Sequence, residues 1–252
     1  MRILVLLVLC AVPAIAVQRQ PALVAADEGS RVRPIARVDA GWWSATCEVP
    51  PGARTRGGTP LRPVLVVSGD GAVEAIRYVP RGGIAWQQLE PVVRRIFLQQ
   101  EKQEHVAAAV LAGSAISVDS IATSAEPATP PLYYFRASKR IPDPRGPVDL
   151  DADGEVDPRG DLRIDVLGWL RGTGDLATSI GTNTTLSWEQ VDERRPDSGT
   201  RSSDLVPIGI VRAGDQRAWV MQGHAGSSTW YTVYNVATGG VRMLAKADPG
   251  RC

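Results

Sequence analysis

What most constrains this chain is the stretch from Val206 to Ala247, where runs rich in Val, Ile, Thr, Tyr and Trp are cut at near-regular intervals by glycine-bearing turns. The turns are Ala213-Gly214-Asp215, Ala225-Gly226-Ser227 and Thr238-Gly239-Gly240. β-Branched and aromatic side chains suit a pleated, half-buried surface, and glycine supplies the positive φ that a tight reversal needs. The spacing therefore predicts a meander of four antiparallel strands, with Thr229 to Val236 the densest. Further upstream, Leu162, Ile164 and Val166 alternate with Arg163 and Asp165, the pattern of a half-buried strand that runs on through Trp169. Leu132 to Lys139 and Thr184 to Val191 read as strands too. Val64 to Val67 and Ala72 to Val79 read as a hairpin turning on Ser68-Gly69-Asp70-Gly71.

One segment carries the helical period. Trp86, Leu89, Val93, Ile96 and Phe97 recur at spacings of three and four, with Gln87, Glu90, Arg94 and Gln99 on the other face. Pro91 fits the first helical turn, where a proline forfeits no hydrogen bond. Glu101 and Glu104, one turn apart at the helix end, read as solvated. His105 to Leu111 fits a helix continuation and a buried strand alike, with the strand preferred; Ala122 to Pro131 reads as a linker. The fold class that follows is mainly β (α+β), an antiparallel sheet in a sandwich, open-barrel or propeller-like arrangement with one amphipathic helix. The chain shows no full-length internal repeat, which weighs against a regular propeller or solenoid.

The beginning of the chain speaks about compartment. Met1-Arg2 is a positive start, Ile3 to Val12 an apolar run, and Ala14-Ile15-Ala16 a small-x-small cleavage site, which together predict a signal peptide over 1–16. The run is short of the roughly 20 residues a spanning helix needs, and no later stretch is long and apolar enough, so no membrane span is expected. Leu9 before Cys10 departs from the small residue that precedes a lipid-modified cysteine, so Cys10 is expected to be removed. Cys47 and Cys252 are then the even pair of an oxidising compartment. A disulfide between them would close a loop of about 200 residues, for which chain entropy gives about 5 kcal/mol. Residues 17–40 mix charges with Gly and Pro and read as a flexible leader, leaving 41–252 as a single β-rich domain that opens on Gly41-Trp42-Trp43. Adjacent strand residues face opposite ways, so one tryptophan is expected to be buried and the other exposed or covered by a loop, with a core anchor preferred to a glycan or ligand platform. With 28 basic and 27 acidic residues there is no charge excess to attract nucleic acid or an anionic membrane.

Between the proline-rich stretch Ile141 to Pro147 and the Leu162 strand lies Asp149-Leu150-Asp151-Ala152-Asp153-Gly154-Glu155-Val156-Asp157. Calcium takes six to eight oxygens, and carboxylates at loop positions 1, 3, 5 and 9 can supply them when the chain curls around the ion. Asp149, Asp151, Asp153 and Asp157 hold those positions, Gly154 allows the sharp turn at the sixth, and Glu155 offers its carbonyl at the seventh. An EF-hand would need Glu at position 12, where Gly160 stands, and helices on both sides. The stretch instead resembles the strand-flanked calcium loop of FG-GAP repeats, as in integrin α-chain propellers and related bacterial exported proteins. That resemblance covers Asp149 to Asp157 alone. It implies one structural calcium ion held by Asp149, Asp151, Asp153, Glu155 and Asp157.

Weaker signals remain. Arg159-Gly160-Asp161 is an adhesion tripeptide, with Asp161 alternatively a loop ligand; Gly172-Thr173-Gly174-Asp175-Leu176-Ala177 fits a dinucleotide fingerprint but precedes β-branched residues, and reads as a turn. Asn183-Thr184-Thr185 is a glycosylation sequon only in a cell that glycosylates. The two histidines are His105 and His224. His224 next to Ser227 and Ser228 offers a base and a nucleophile, without a nucleophile elbow or a Ser-x-x-Lys spacing. The function expected is therefore that of an exported, non-enzymatic binding or structural protein for a protein or glycan ligand, stabilised by calcium. The alternative is an extracytoplasmic hydrolase using His224 with Ser227 or Ser228.

Overall fold

The structure, a computed structural model, describes residues 21–55, 57, 62–104, 114–126, 128–141, 161–189, 204–225, 228–237 and 239–248. Among them three antiparallel sheets stack face to face, and one helix covers the outermost. The first sheet has the order β3-β2-β1-β4, from β1 (Ala22–Asp27), β2 (Val32–Asp39), β3 (Trp42–Ala45) and β4 (Val64–Val67). The middle sheet is the expected meander, β11 (Asp204–Ala213), β12 (Gln216–Ala225), β13 (Ser228–Ala237) and β14 (Gly240–Ala247), with β5 (Gly71–Glu74) added beside β11. The third runs β10-β9-β8-β7-β6, from β6 (Ile76–Tyr78), β7 (Ser117–Ser124), β8 (Leu132–Ile141), β9 (Asp161–Arg171) and β10 (Thr178–Glu189). The helix α1 spans Ile84–Glu101, between β6 and β7. The mainly β class, in its sandwich form with one helix, is what the structure has.

The middle sheet is covered on both faces, and β12 shows how its sequence permits this. Ala218, Trp219, Val220 and Met221 are all buried, a continuous apolar run of the kind a doubly covered strand requires. Ala218 and Val220 join Tyr231 and Val233 against Val24, Ala26 and Leu65 of the first sheet. Trp219 and Met221, pointing the other way, meet Tyr134 and Trp169 of the third. There the Tyr134 and Trp169 rings stack edge-on at 5.3 Å, and Tyr234 of β13 adds a tilted ring 5.2 Å from Trp169. On the far face of the third sheet, Trp86, Leu89, Val93, Ile96 and Phe97 of α1 pack on Ile121, Phe135, Ile164 and Leu170. The apolar stripe read from the sequence is thus the packing face. Pro91 stands inside the helix, not in its first turn. The bond its missing N–H would have made to the Gln87 carbonyl is forgone, a cost that the buried stripe around it offsets.

Three further expectations are corrected. Residues 22–39 are not a flexible leader: every residue of β1 is buried, and β1 and β2 form the centre of the first sheet, so the packed layers begin before residue 41. The charges that suggest a leader are used in ion pairs. Arg33 Nε lies 3.0 Å from Glu28 Oε1, and that oxygen accepts the Tyr231 hydroxyl of β13 at 2.7 Å, tying the first sheet to the middle one. The second correction concerns Val64 to Val79, whose strands do not pair as a hairpin. β4 pairs with β1, β5 with β11, and β6 with β7, so a run of fifteen residues threads all three sheets in turn. The linker reading of Ala122 to Pro131 also gives way at its start, where β7 continues to Ser124. The segments 1–16, His105 to Leu111 and Asp149 to Asp157 lie outside the described residues.

Candidate functional site

The aspartate stretch is the connection between β8 and β9, inner strands of the third sheet, and all five expected ligands, Asp149, Asp151, Asp153, Glu155 and Asp157, lie outside the described residues. What the structure gives is the base from which the stretch departs. Side chains alternate along a strand, so Arg136, Ser138 and Arg140 of β8 and Asp161, Arg163 and Asp165 of β9 share the face opposite α1. Arg140 Nε lies 2.6 Å from Asp161 Oδ2 and Arg163 Nε 2.9 Å from Asp165 Oδ2. Arg136 bridges Asp165 at 3.3 Å and Asp119 of β7 at 3.7 Å. Asp161, the acid of the adhesion tripeptide and the alternative loop ligand, is therefore in an ion pair across the strands. Among the described residues no group of three or more His, Cys, Asp or Glu could hold a metal ion.

His224 is exposed near the end of β12, and the register decides which hydroxyl it meets. It lies opposite Thr229 of β13, while Ser228 lies opposite Ala225 and so on the other face of the sheet. Accordingly His224 Nδ1 is 3.0 Å from Thr229 Oγ1. The pairing of His224 with Ser228 is not assembled, because a one-residue step along a strand reverses the side chain. Ser227 lies outside the described residues. On its other side His224 faces the register position of Asp204 in β11.

Among the described residues, two surface cavities bear on a candidate site. One, of about 380 Å³, lies where the β2–β3, β4–β5 and β11–β12 turns converge, lined by Val38, Gly41, Asp70, Ala213, Asp215 and Gln216. Ala40 (φ 46°) and Gly41 (φ 87°) make its first turn with two left-handed residues in succession, as a two-residue hairpin requires. Trp43 points inward, its indole N–H donating to Gln216 Oε1, and Gln216 Nε2 donates to the Gly41 carbonyl at 2.7 Å. Trp42 faces solvent and is 81% exposed, so the two tryptophans divide as strand geometry predicts. The second cavity, about 360 Å³, lies along α1 between Arg81, Trp86, Glu90, Arg94, Ile116 and Val118. Its polar groups are engaged with one another: Arg94 donates to Glu90 Oε1 at 2.7 Å and to the Ile116 carbonyl at 2.6 Å, and Trp86 Nε1 donates to Glu90 Oε2 at 2.8 Å. Arg94, followed by Trp86, holds the Glu90 carboxyl below its ordinary range.

Comparison with known proteins finds no matching family model, curated protein or solved structure. The turn-borne cavity and the ion-paired face are what sequence reading missed. The first is assembled from turns far apart in the chain, although Asp70, Gly214 and Asp215 each stand in a turn that the sequence announces.

Proposed function

We propose that this chain is an exported binding or structural protein, acting without catalysis of its own and stabilised by one structural calcium ion on Asp149, Asp151, Asp153, Glu155 and Asp157. The binding reading is carried by the cavity of about 380 Å³ at the convergence of three turns from two packed sheets. Loops held by a rigid scaffold are where binding groups concentrate, and the volume falls within the roughly 300–1,000 Å³ of small-ligand sites. Asp70, Asp215 and Gln216 offer oxygens and an amide to a polar ligand such as a glycan. Support for export comes from the charged, apolar and small-residue succession of Met1 to Ala16, and a disulfide at Cys47 would accord with an oxidising compartment. We assign Cys252 as its partner.

The calcium reading is supported by the spacing of the aspartates and by their position as a β8–β9 connection. The rival reading is a solvated acidic turn that holds no specific ion. Equilibrium dialysis separates the two: one calcium per chain is expected, lost in Asp151→Asn/Asp153→Asn. Screening glycans and peptides by thermal shift tests the cavity, where a hit must lose its shift in Asp70→Ala/Asp215→Ala. A hit indifferent to that change removes the cavity assignment.

The second reading, a hydrolase, is favoured by the 3.0 Å approach of His224 Nδ1 to a hydroxyl, which is that of Thr229 in place of Ser228. Ester or peptide hydrolysis lost in both His224→Ala and Thr229→Val would establish it; hydrolysis surviving both would remove it.

A further inference from the structure

The edges of the three sheets are not alike. β3, β4 and β5 have four residues each and β6 three, too short to offer a partner much. β14 has eight but carries Arg242 and Lys246. Short strands and edge charges are the devices by which proteins keep sheet edges from pairing with other chains. β10 has neither. It is twelve residues long, and between Thr178 and Trp188 it has no charged residue and no proline. Among the described residues it pairs on one side only, with β9, and from Gly181 to Glu189 that register is unbroken. One neighbour thus holds this backbone in register, and the row of N–H and C=O groups on the other side is a template for a further strand.

We propose that β10 is where two copies of this chain meet, strand against strand in antiparallel, so that two five-stranded sheets become one of ten strands. A second copy is the occupant that the side chains favour. Asn183 and Leu186 are exposed and Thr182, Thr184 and Thr185 half-buried, so the strand offers a charged peptide nothing to recognise. Set against itself about a two-fold axis, the same stretch sees only uncharged residues. Whatever the register, no like-charge pair arises between Thr178 and Trp188. Because each copy gives and receives the same surface, the contact closes as a dimer and does not propagate. The inference is independent of the calcium and cavity readings.

Sedimentation equilibrium on the full chain tests it, with Asn183→Lys/Leu186→Lys as the variant. Both positions are exposed, so the fold survives the change, which a circular-dichroism melt verifies. Wild type at dimer mass and the variant at monomer mass is the expected result. A monomeric wild type, a dimer that persists in the variant, or a monomer whose β10 pairs with an unrelated extended peptide would each overturn the proposal. Amide exchange gives a reading that needs no variant. The outward N–H groups of β10 should exchange slowly at high protein concentration and quickly on dilution, and exchange independent of concentration would contradict the dimer.

Discussion

Lys139 Nζ lies 2.8 Å from Glu101 Oε1 beneath the last turn of α1, and both residues are buried. Glu101 is not the solvated residue that its spacing from Glu104 suggests. The pair joins the helix to the third sheet through a buried ionic contact. Removing one partner strands a charge in the interior, which costs about 3–5 kcal/mol, whereas replacing both by apolar groups of similar size is close to neutral. Glu101→Leu and Lys139→Met should therefore each lower the urea midpoint markedly, and the double variant should recover most of the loss. A double variant as unstable as the sum of the singles would show that the pair is not coupled.

A pH dependence follows from Glu28 and Tyr231. Burial alone would raise the Glu28 carboxyl, but hydrogen bonds from Arg31 and Tyr231 and the nearby charge of Arg33 outweigh it and leave the group below its ordinary value of 4.5. A carboxyl lowered in the folded state adds stability that is present above its ordinary value and lost as pH falls through the folded one. Burial, and then the bond to the Glu28 carboxylate, raise the Tyr231 phenol above its ordinary 10.0. Its contribution is present below that value and lost as pH rises through the folded one. Stability should thus decline below about pH 4.5 and above about pH 10. Tyr231→Phe should flatten the alkaline limb and cost about 1.5–3 kcal/mol at neutral pH, the range for a hydrogen bond to a charged group. Urea denaturation across pH reads both, and an unchanged alkaline limb would contradict the assignment.

Glu74 sits where the chain leaves the middle sheet for the third. It is buried and accepts from Ser124 Oγ at 2.9 Å and from Arg217 Nη2 at 2.5 Å, with Arg212 Nε 3.0 Å away. The two arginines are partly exposed and can rehydrate when the carboxylate is lost, so Glu74→Gln should cost about 2 kcal/mol, less than breaking the enclosed Glu101–Lys139 pair. A thermal melt gives the comparison. The reverse order of severity would show that the Glu74 cluster is the more strongly coupled of the two.

The C-terminal meander, the strand through Leu162 and the face of α1 are legible in the sequence because their signals are local: a period, a turn glycine, a run of β-branched residues. Pairing of Val64 to Tyr78 is not, since a glycine turn looks the same whether its flanking strands pair with each other or part to different sheets. β1 is readable in retrospect, because Leu23-Val24-Ala25-Ala26 is a short apolar run of the kind a strand buried on both faces shows, masked by the charges around it. Glu101 and Lys139 also carried a signal. Glu101 follows Phe97 by four on the buried stripe, and Lys139 continues the alternation of Phe135, Ala137 and Ile141, so each charge stands at a core position of its own element. Of the candidate sites, the calcium spacing is read from sequence alone. The three-turn cavity depends on contacts between residues as much as 175 positions apart, and no local pattern carries it.

The measurement that bears most directly on the proposed function is the melting temperature of the full chain in EDTA and in millimolar calcium. An ion held by the folded state alone, present at about a hundred times its dissociation constant, stabilises by about 2.7 kcal/mol. The expected result is a clear rise of the melting temperature with calcium, abolished in Asp151→Asn/Asp153→Asn. Equal melting temperatures in the two solutions would contradict the calcium-stabilised reading.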